Sequence, residues 1–455
     1  MGCVAVLDHG KSNTRMVVFD AEGRQRAERT RPTPTDATGP YPAEDVEALI
    51  PFVVDALAEF AQRFDIATII PVAHGAAGAL VDADGLVRPV IDYEHSATPD
   101  LNAAYDAVRP EFAETGSPPL PAMLNLGRQL FMLADAHSDA VAQASAFLAL
   151  PQYWAWVLSG EMASEITSLG AHTDLWDPWN GRPSTLVARQ GWARLIPPLR
   201  RAGDALGPLR PEIAAATGLG RHTQVLTGLH DSNASLVPYL SAGADPVAVV
   251  SSGTWAIIMN IGGDTARLDP AADMLANVDV LGRPTPSARF MGGREHALIS
   301  GDDQPGTLAA AEAVLEAGTL ALPSFSDQGG PWAHSKGQII GDVPQIPGAR
   351  SALAALYCAL VSDDILSRLG ASGPVQVDGP FAKNPVWLAA MAGLRPEGIV
   401  PRDGASPAAG AAMLARARER ARSQPAPPPP RPYAQKLDLA RYRSLWQTAL
   451  AQHLS

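Results

Sequence analysis

The residues from Thr223 to Trp255, TQVLTGLHDSNASLVPYLSAGADPVAVVSSGTW, carry the densest chemistry in the chain. The apolar pair Val225-Leu226 enters a Thr-Gly-Leu-His-Asp turn, and SNASLVPYL follows with helical spacing. That places Asp231 where a strand ends and a helix begins, the position of a working carboxylate or of a helix N-cap. Pro246 to Trp255 then reads as a second strand that breaks into Ser251-Ser252-Gly253-Thr254, a small-residue turn with several donors and no bulk. Such a turn can cradle a phosphate.

Composition limits what this chemistry serves. A chain of 455 residues, 46% hydrophobic and 18% charged, is globular and long enough for two domains with separate cores. Its 35 basic and 47 acidic residues give a net charge of -12, which argues against nucleic acid or an anionic membrane as principal partner. Cys3 and Cys358 are too few for a disulfide framework. The first apolar run, Val4 to Leu7, ends at Asp8, so no signal peptide is read, and no apolar run approaches a membrane span. A soluble cytoplasmic protein is the expectation, with homodimerisation left open.

The elements that position these residues follow from pattern. Val4 to Leu7 and Arg15 to Phe19 read as a hairpin around DHGKSNT, and VAVLDHGK is matched in its apolar run and glycine by VAVVSSGT at 247–254. The match reflects either an internal duplication or the commonness of strands followed by glycine turns. Ala43 to Phe64 reads as an amphipathic helix, kinked at or starting from Pro51. Thr68 to Val72 is a strand ending at Ala73-His74-Gly75, and Ala79 to Asp92 a further hairpin. Asp92, Tyr93, Glu94 and His95 after it either line a sugar pocket or form a solvated loop. Helices are expected over 124–134, 144–158 and 186–195, with Tyr153, Trp154 and Trp156 in the core. Residues 262–348 give no readable pattern. Beyond them come a helix over 351–369, a strand over 375–377, the turn Gly379 to Asn384, a helix over 385–393, a short strand over 398–400, a helix over 406–422, a proline-rich connector over 424–432 and a last helix over 437–454.

Taken in order, DHGKSNTR, VLSGE (157–161), GLHDSNA, SSGTW, DGPFAKNPVWLAAMAGL and DGASPAAGAAMLA give a chain that resembles the FGGY carbohydrate kinases over nearly its whole length. The SSGTW form looks most like the rhamnulose and fuculose kinase branch. The resemblance implies an α/β fold of two actin-like (ribonuclease H-like) domains, each a mixed sheet flanked by helices, around a deep cleft. The domains are expected at 1–243 and 244–455. The implied activity is transfer of the γ-phosphate of ATP, with Mg²⁺, to a hydroxyl of a small ketose or deoxyketose. A polyol or sugar-acid kinase, or a non-catalytic sugar- or nucleotide-sensing relative, is the alternative.

Residue by residue, the resemblance implies Asp231 as general base and Asp8 as the Mg²⁺ carboxylate. Gly10, Lys11, Ser12, Asn13 and Thr14, with Ser252, Gly253 and Thr254, would meet the phosphates of ATP. Gly379, Lys383 and Asn384 would lie under the adenosine, and His74, Gly75, Tyr93, Glu94 and His230 would meet the sugar. Three positions depart from the family. Gly379-Pro380-Phe381 replaces a glycine run, Asp92 stands at a tryptophan position, and Lys11 fills a place usually held by a small residue. Lys11 either reaches a phosphate or sits at a solvated tip or in an ion pair with a neighbouring carboxylate.

Overall fold

The computed structural model describes residues 2–240, 246–326, 329–402, 406–419 and 432–454. The chain divides into two compact units. Unit 1 holds Met1–Ser241, Ala276–Pro284 and Ser406–Pro425; unit 2 holds Ala242–Leu275, Thr285–Ala405 and Ala426–Ser455.

Unit 1 is built on β1 (Cys3–His9), β2 (Asn13–Phe19), β3 (Gln25–Pro32), β4 (Ile66–Ala73), β5 (Ala205–Pro208) and β6 (Gln224–Leu226). They lie in the order β5-β6-β4-β1-β2-β3, and β7 (Leu229–His230) adds to the end of β4. β1 is antiparallel to β2 and parallel to β4. Because side chains alternate across a sheet, β1 feeds two cores at once. Ala5 and Leu7 join Phe52, Val53, Leu57 and Phe60 of the helix Ile50–Ala61. Val4 and Val6 join Ala408, Ala411, Ala412 and Ala415 of the helix Pro407–Glu419. Burying each large apolar side chain of the first helix contributes roughly 1.5 to 3 kcal/mol, more than its few turns could supply alone. The same sandwiching explains why the strand reads as a continuous apolar run rather than an alternating one.

Unit 2 repeats the local plan. β8 (Val247–Ser252) is antiparallel to β9 (Ala256–Ile261), which is in turn antiparallel to β10 (Pro284–Phe290). On its other side β8 is parallel to β11 (Val375–Asp378), and β11 to β12 (Ile399–Pro401). VAVL in β1 and VAVV in β8 therefore hold the same place, each between an antiparallel hairpin partner and a parallel strand. The helix Ala349–Arg368 is buried along nearly its whole length and packs with Trp387 and Met391 of the helix Pro385–Leu394. Among the described residues no helix is long and apolar enough to cross a membrane.

Several expected elements differ. The helix over 43–64 is shorter: Ala43–Glu44 is a strand, Glu47–Leu49 a 3-10 turn, and the α-helix starts at Ile50 with Pro51 in its first turn. The hairpin over 79–92 forms only at its tip, where Val81 bridges Leu86 and the turn is closed by Asp82 N–H donating to the Gly85 carbonyl (3.0 Å) and Val87 N–H to the Leu80 carbonyl (2.8 Å). The longer pairings of its arms lie elsewhere: Gly78–Val81 pairs with Ala146–Ala149, and Val90–Ile91 with Ala43–Glu44. The helix over 144–158 begins only at Leu150, where Pro151 suits a first turn. The helix over 186–195 is broken at Gly191, whose φ is +69°. Residues 262–348 contain the helices Gly292–Ser300 and Leu308–Ala317. The last helix is Ala440–His453. Most of the connector expected over 424–432 lies outside the described residues.

Candidate active site

At the β1–β2 tip, Gly10 N–H donates to the Asn13 carbonyl (3.0 Å), and Thr33 clamps the turn by donating its hydroxyl to the Gly10 carbonyl (2.7 Å). Ser12 and Asn13 are exposed, the Ser12 carbonyl accepting from Thr33 N–H (3.1 Å), whereas Thr14 is fully buried with its hydroxyl 3.0 Å from that of Thr33. Asp8 and Arg15 face each other across the hairpin register, and the guanidinium donates to Asp8 Oδ2. Burial raises the Asp8 carboxyl above its ordinary pKa, with Arg15 pulling against it. Asp8, Gly10, Ser12, Asn13, Arg15, Glu28 and Thr30 line an open recess of about 410 Å³.

Lys11 turns away from that recess. Its ammonium donates to Asp92 Oδ1, lies 3.6 Å from Glu44 Oε1 and sits 4.8 Å from the centre of the Tyr93 ring. The ion pair with a neighbouring carboxylate, one of the readings left open for this residue, is present. Two acidic groups and an aromatic face surround the ammonium there. Asp92 also accepts from the Glu94 backbone N–H (2.9 Å), and Glu94 itself is exposed.

Beneath Lys11 is a buried cluster that no motif signals. His9 Nε2 and His74 Nε2 each lie 3.2 Å from the same oxygen, Glu44 Oε2. Trp154 Nε1–H points at His9 Nδ1 (3.2 Å), so that nitrogen accepts and the His9 proton resides on Nε2, facing Glu44. Burial keeps His9 neutral, below its ordinary pKa. Burial also opposes the charged forms of Glu44 and His74, yet their mutual attraction wins: Glu44 is held far below its ordinary value and His74 above its own. The three residues have the ligand types of a metal site, with candidate atoms within 4.8 Å of one another. The Trp154 donor argues against one: a metal on His9 Nε2 would turn an Nδ1–H against the indole N–H. His74 Nδ1 is buried without a hydrogen-bond partner, and its ring meets Tyr93 edge-on at 5.3 Å.

Asp231 opens the helix Asp231–Ala234 directly after β7, as its sequence position suggests. Its Oδ1 is 3.1 Å from His230 Nε2 and accepts from the Ser232 hydroxyl (3.2 Å). Burial alone would raise its pKa, but the His230 hydrogen bond and the charges of His230 and His74 hold it below the ordinary carboxylate value. His230 is fixed from three sides. Asn233 Nδ2 lies 3.0 Å from its Nδ1, and its backbone N–H donates to Thr167 Oγ1 (3.1 Å). Thr167 in turn donates to the fully buried Glu165 (2.6 Å). Gly75 packs against the third side, where an added Cβ would stand 2.7 Å from His230 Nε2. Gly75 is thus needed for the close approach of the ring.

In unit 2, Gly253 and Thr254 are exposed at the β8–β9 turn, closed by Gly253 N–H donating to the Trp255 carbonyl (2.8 Å). The Ser252 hydroxyl is used internally, donating to the Asp378 carbonyl (2.6 Å) and accepting from Phe381 N–H (2.9 Å). Gly379, at φ +74°, lies so close that a Cβ would be 1.9 Å from the Ser252 carbonyl oxygen. The hairpin and the 379–384 turn are therefore one packed surface. Lys383 is exposed on it, while Asn384 caps the following helix by accepting from Val386 and Trp387 N–H, both at 3.1 Å. Phe381 stacks on Trp387 at 5.0 Å, an apolar fastening in place of a glycine run.

Residues 3–238 match the FGGY family of carbohydrate kinases, N-terminal domain, and residues 244–425 match carbohydrate kinase FGGY, C-terminal domain. The chain is 27% identical over 266 residues to an L-fuculokinase of Salmonella typhi, a match covering 56% of each. It is also 27% identical over 137 residues to a rhamnulokinase of Halalkalibacterium halodurans, covering 29% of this chain and 27% of that one. The chain thus spans about half the length of the first of these curated relatives or less. The structure of a carbohydrate kinase from Novosphingobium aromaticivorans superposes with a TM-score of 0.87 at 38% identity, covering 100% of this chain and 99% of that one. With paired hairpins built on one plan and both halves matched, the chain belongs to the FGGY family of carbohydrate kinases.

Proposed function

We propose that this chain transfers the γ-phosphoryl group of ATP to a hydroxyl of a small neutral sugar, a ketose or deoxyketose, with Asp231 as general base. The observation that carries the reading is the state of Asp231: ionised at neutral pH, oriented through Oδ1 by His230 and Ser232, and about 29% exposed. Its hydrogen bonds fall on Oδ1, which leaves Oδ2 to take the proton. The acceptor oxygen attacks the γ-phosphorus, the bond from that phosphorus to the β,γ-bridging oxygen breaks, ADP leaves, and the hydroxyl proton passes to Asp231. Because the phosphoryl transition state is loose, a weak but well-placed base suffices; positioning and charge stabilisation supply most of the rate.

The β1–β2 tip supplies nucleotide contacts in this reading. The Gly10, Ser12 and Asn13 region offers backbone and side-chain donors, and Arg15 lies in the same recess. In unit 2 we assign Gly253 and Thr254 to phosphate and the Gly379 to Asn384 turn to adenosine. The recess also fits Mg²⁺: Asp8, Glu28, Thr30 and Ser12 are hard oxygen donors, and the recorded Arg15 contact uses only Oδ2 of Asp8. Asp8 would hold the ion, whose charge would offset that of the phosphates. A coupled ADP assay with ATP, Mg²⁺ and a panel of ketoses, 6-deoxyketoses, glycerol and gluconate tests the reading. Turnover of a neutral ketose is expected; no ADP above the hydrolysis background on any ketose contradicts it.

A further inference from the structure

Lys11, Asp92 and His74 meet around the Tyr93 ring in unit 1. The ammonium is 4.8 Å from its centroid and the His74 ring 5.3 Å. Each retains hydrogen-bonding capacity. Lys11 has three N–H groups and donates one to Asp92, while Glu44 Oε1, at 3.6 Å, is beyond hydrogen-bond reach. Both recorded bonds to the Asp92 carboxylate, from Lys11 and from Glu94 N–H, fall on Oδ1. His74 is only 8% exposed, with Nε2 on Glu44 and Nδ1 buried and unpartnered. A buried polar atom left open costs stability unless a ligand completes it. The Lys11 and Asp92 side chains are 20% and 14% exposed, so a solute can touch them.

A donor and an acceptor fixed side by side match two hydroxyls on adjacent carbons, one accepting from the ammonium and the other donating to the carboxylate. Local charge fixes the substrate class. Glu44 and Asp92 already balance Lys11 and His74, and Asp231 and Glu94 add further negative charge, so an anionic acceptor finds no uncompensated cation. We propose that Lys11 and Asp92 are the specificity-determining pair for a vicinal diol of a neutral acceptor sugar, with His74 Nδ1 meeting a further oxygen. This rests on the sugar kinase reading above and gives Lys11 to the acceptor rather than the nucleotide.

The test uses the full chain with D-ribulose, L-ribulose, D-xylulose and L-xylulose, which differ only in configuration at the adjacent carbons 3 and 4. Wild type should discriminate among them by about 10- to 100-fold in kcat/KM. Lys11→Met and the isosteric Asp92→Asn should flatten that ratio to about threefold, with the loss in acceptor KM and the ATP KM unchanged. A rise in ATP KM alone, or an equal fall on all four sugars with the ratio preserved, overturns the proposal; the second result marks a merely structural ion pair. Gluconate preferred over all four also overturns it. Calorimetric binding of the same four sugars separates this from the kinase reading. Absence of ADP formation by wild type counts against the kinase reading, while equal binding affinities for the four stereoisomers count against the pair.

Discussion

Gly75→Ala is a one-carbon perturbation whose consequence can be worked through. Gly75 is buried and its φ lies outside the left-handed region, so the backbone accepts alanine and the effect is steric. The new Cβ would lie 2.7 Å from His230 Nε2 and 2.8 Å from Cδ2. Ordinary contact is about 3.5 Å, so the ring must recede by roughly 0.8 Å. It is held by Asp231 at 3.1 Å and Asn233 at 3.0 Å, and a shift of that size takes one or both bonds past reach. Losing a bond to a charged group costs about 1.5 to 3 kcal/mol and a neutral one about 0.5 to 1.5 kcal/mol, giving an expected destabilisation of roughly 2 to 4 kcal/mol. Asp231 also loses the contact that depresses its pKa, so the acid limb of the kcat profile should move to higher pH, and kcat should fall about 10- to 100-fold through misplacement of the base. Urea unfolding and a pH–rate profile read both effects. In a His230→Ala background the same Gly75→Ala change should cost under about 0.5 kcal/mol, since the ring it strikes is gone. Additive costs in the double mutant, or a fully active Gly75→Ala enzyme, would refute the reasoning.

Other perturbations follow from the same geometry. Gly379→Ala places a Cβ 1.9 Å from a backbone oxygen at a φ of +74° and should destabilise unit 2 by about 3 kcal/mol or more; a urea midpoint within error of wild type contradicts the packing of that turn on Ser252. His74→Gln keeps a donor to Glu44 but removes the charge. The folded pKa of His74 is raised above its ordinary 6.5, so its contribution is fully present below about that pH and is lost as pH rises through the folded value. Glu44 is depressed from 4.5, so its contribution is present above that pH and is lost as pH falls through its folded value. The stability gap between wild type and His74→Gln should therefore be widest near pH 5.5, about 1 to 3 kcal/mol, and narrower at pH 8.5; a gap that widens with pH contradicts the ion pair.

What the sequence made legible was local. Asp231 could be placed because a strand end and a helix start meet within one short motif, and β1 and β8 because a continuous apolar run before a glycine turn has few other readings. The His9–Glu44–His74 cluster could not be found this way: its members lie 35 and 30 residues apart, and Glu44 falls inside what reads as an amphipathic helix. Trp154 was rightly expected in the core, but periodicity says nothing of its N–H, which fixes the His9 tautomer. Lys11 shows the limit most directly. Its place at a hairpin tip is visible in the sequence, while the direction of its side chain depends on Asp92, 81 residues away. Arg15 was the findable omission, since pairing across a tip that runs from His9 to Thr14 sets it opposite Asp8. The hairpin over 79–92 is limited to its tip at 80–87 because local alternation competes with long-range pairing, and the partner at 146–149 carries no signal near it.

The central claim is that Asp231 accepts the proton of the acceptor hydroxyl. Asp231→Asn preserves shape and can still occupy the first helical position, so the fold and ATP binding should be retained. With the ketose turned over fastest by wild type, kcat should fall about 10²- to 10⁴-fold, while the ATP dissociation constant measured by calorimetry stays within about threefold. A kcat within about threefold of wild type, in a variant of unchanged thermal stability, would contradict the account.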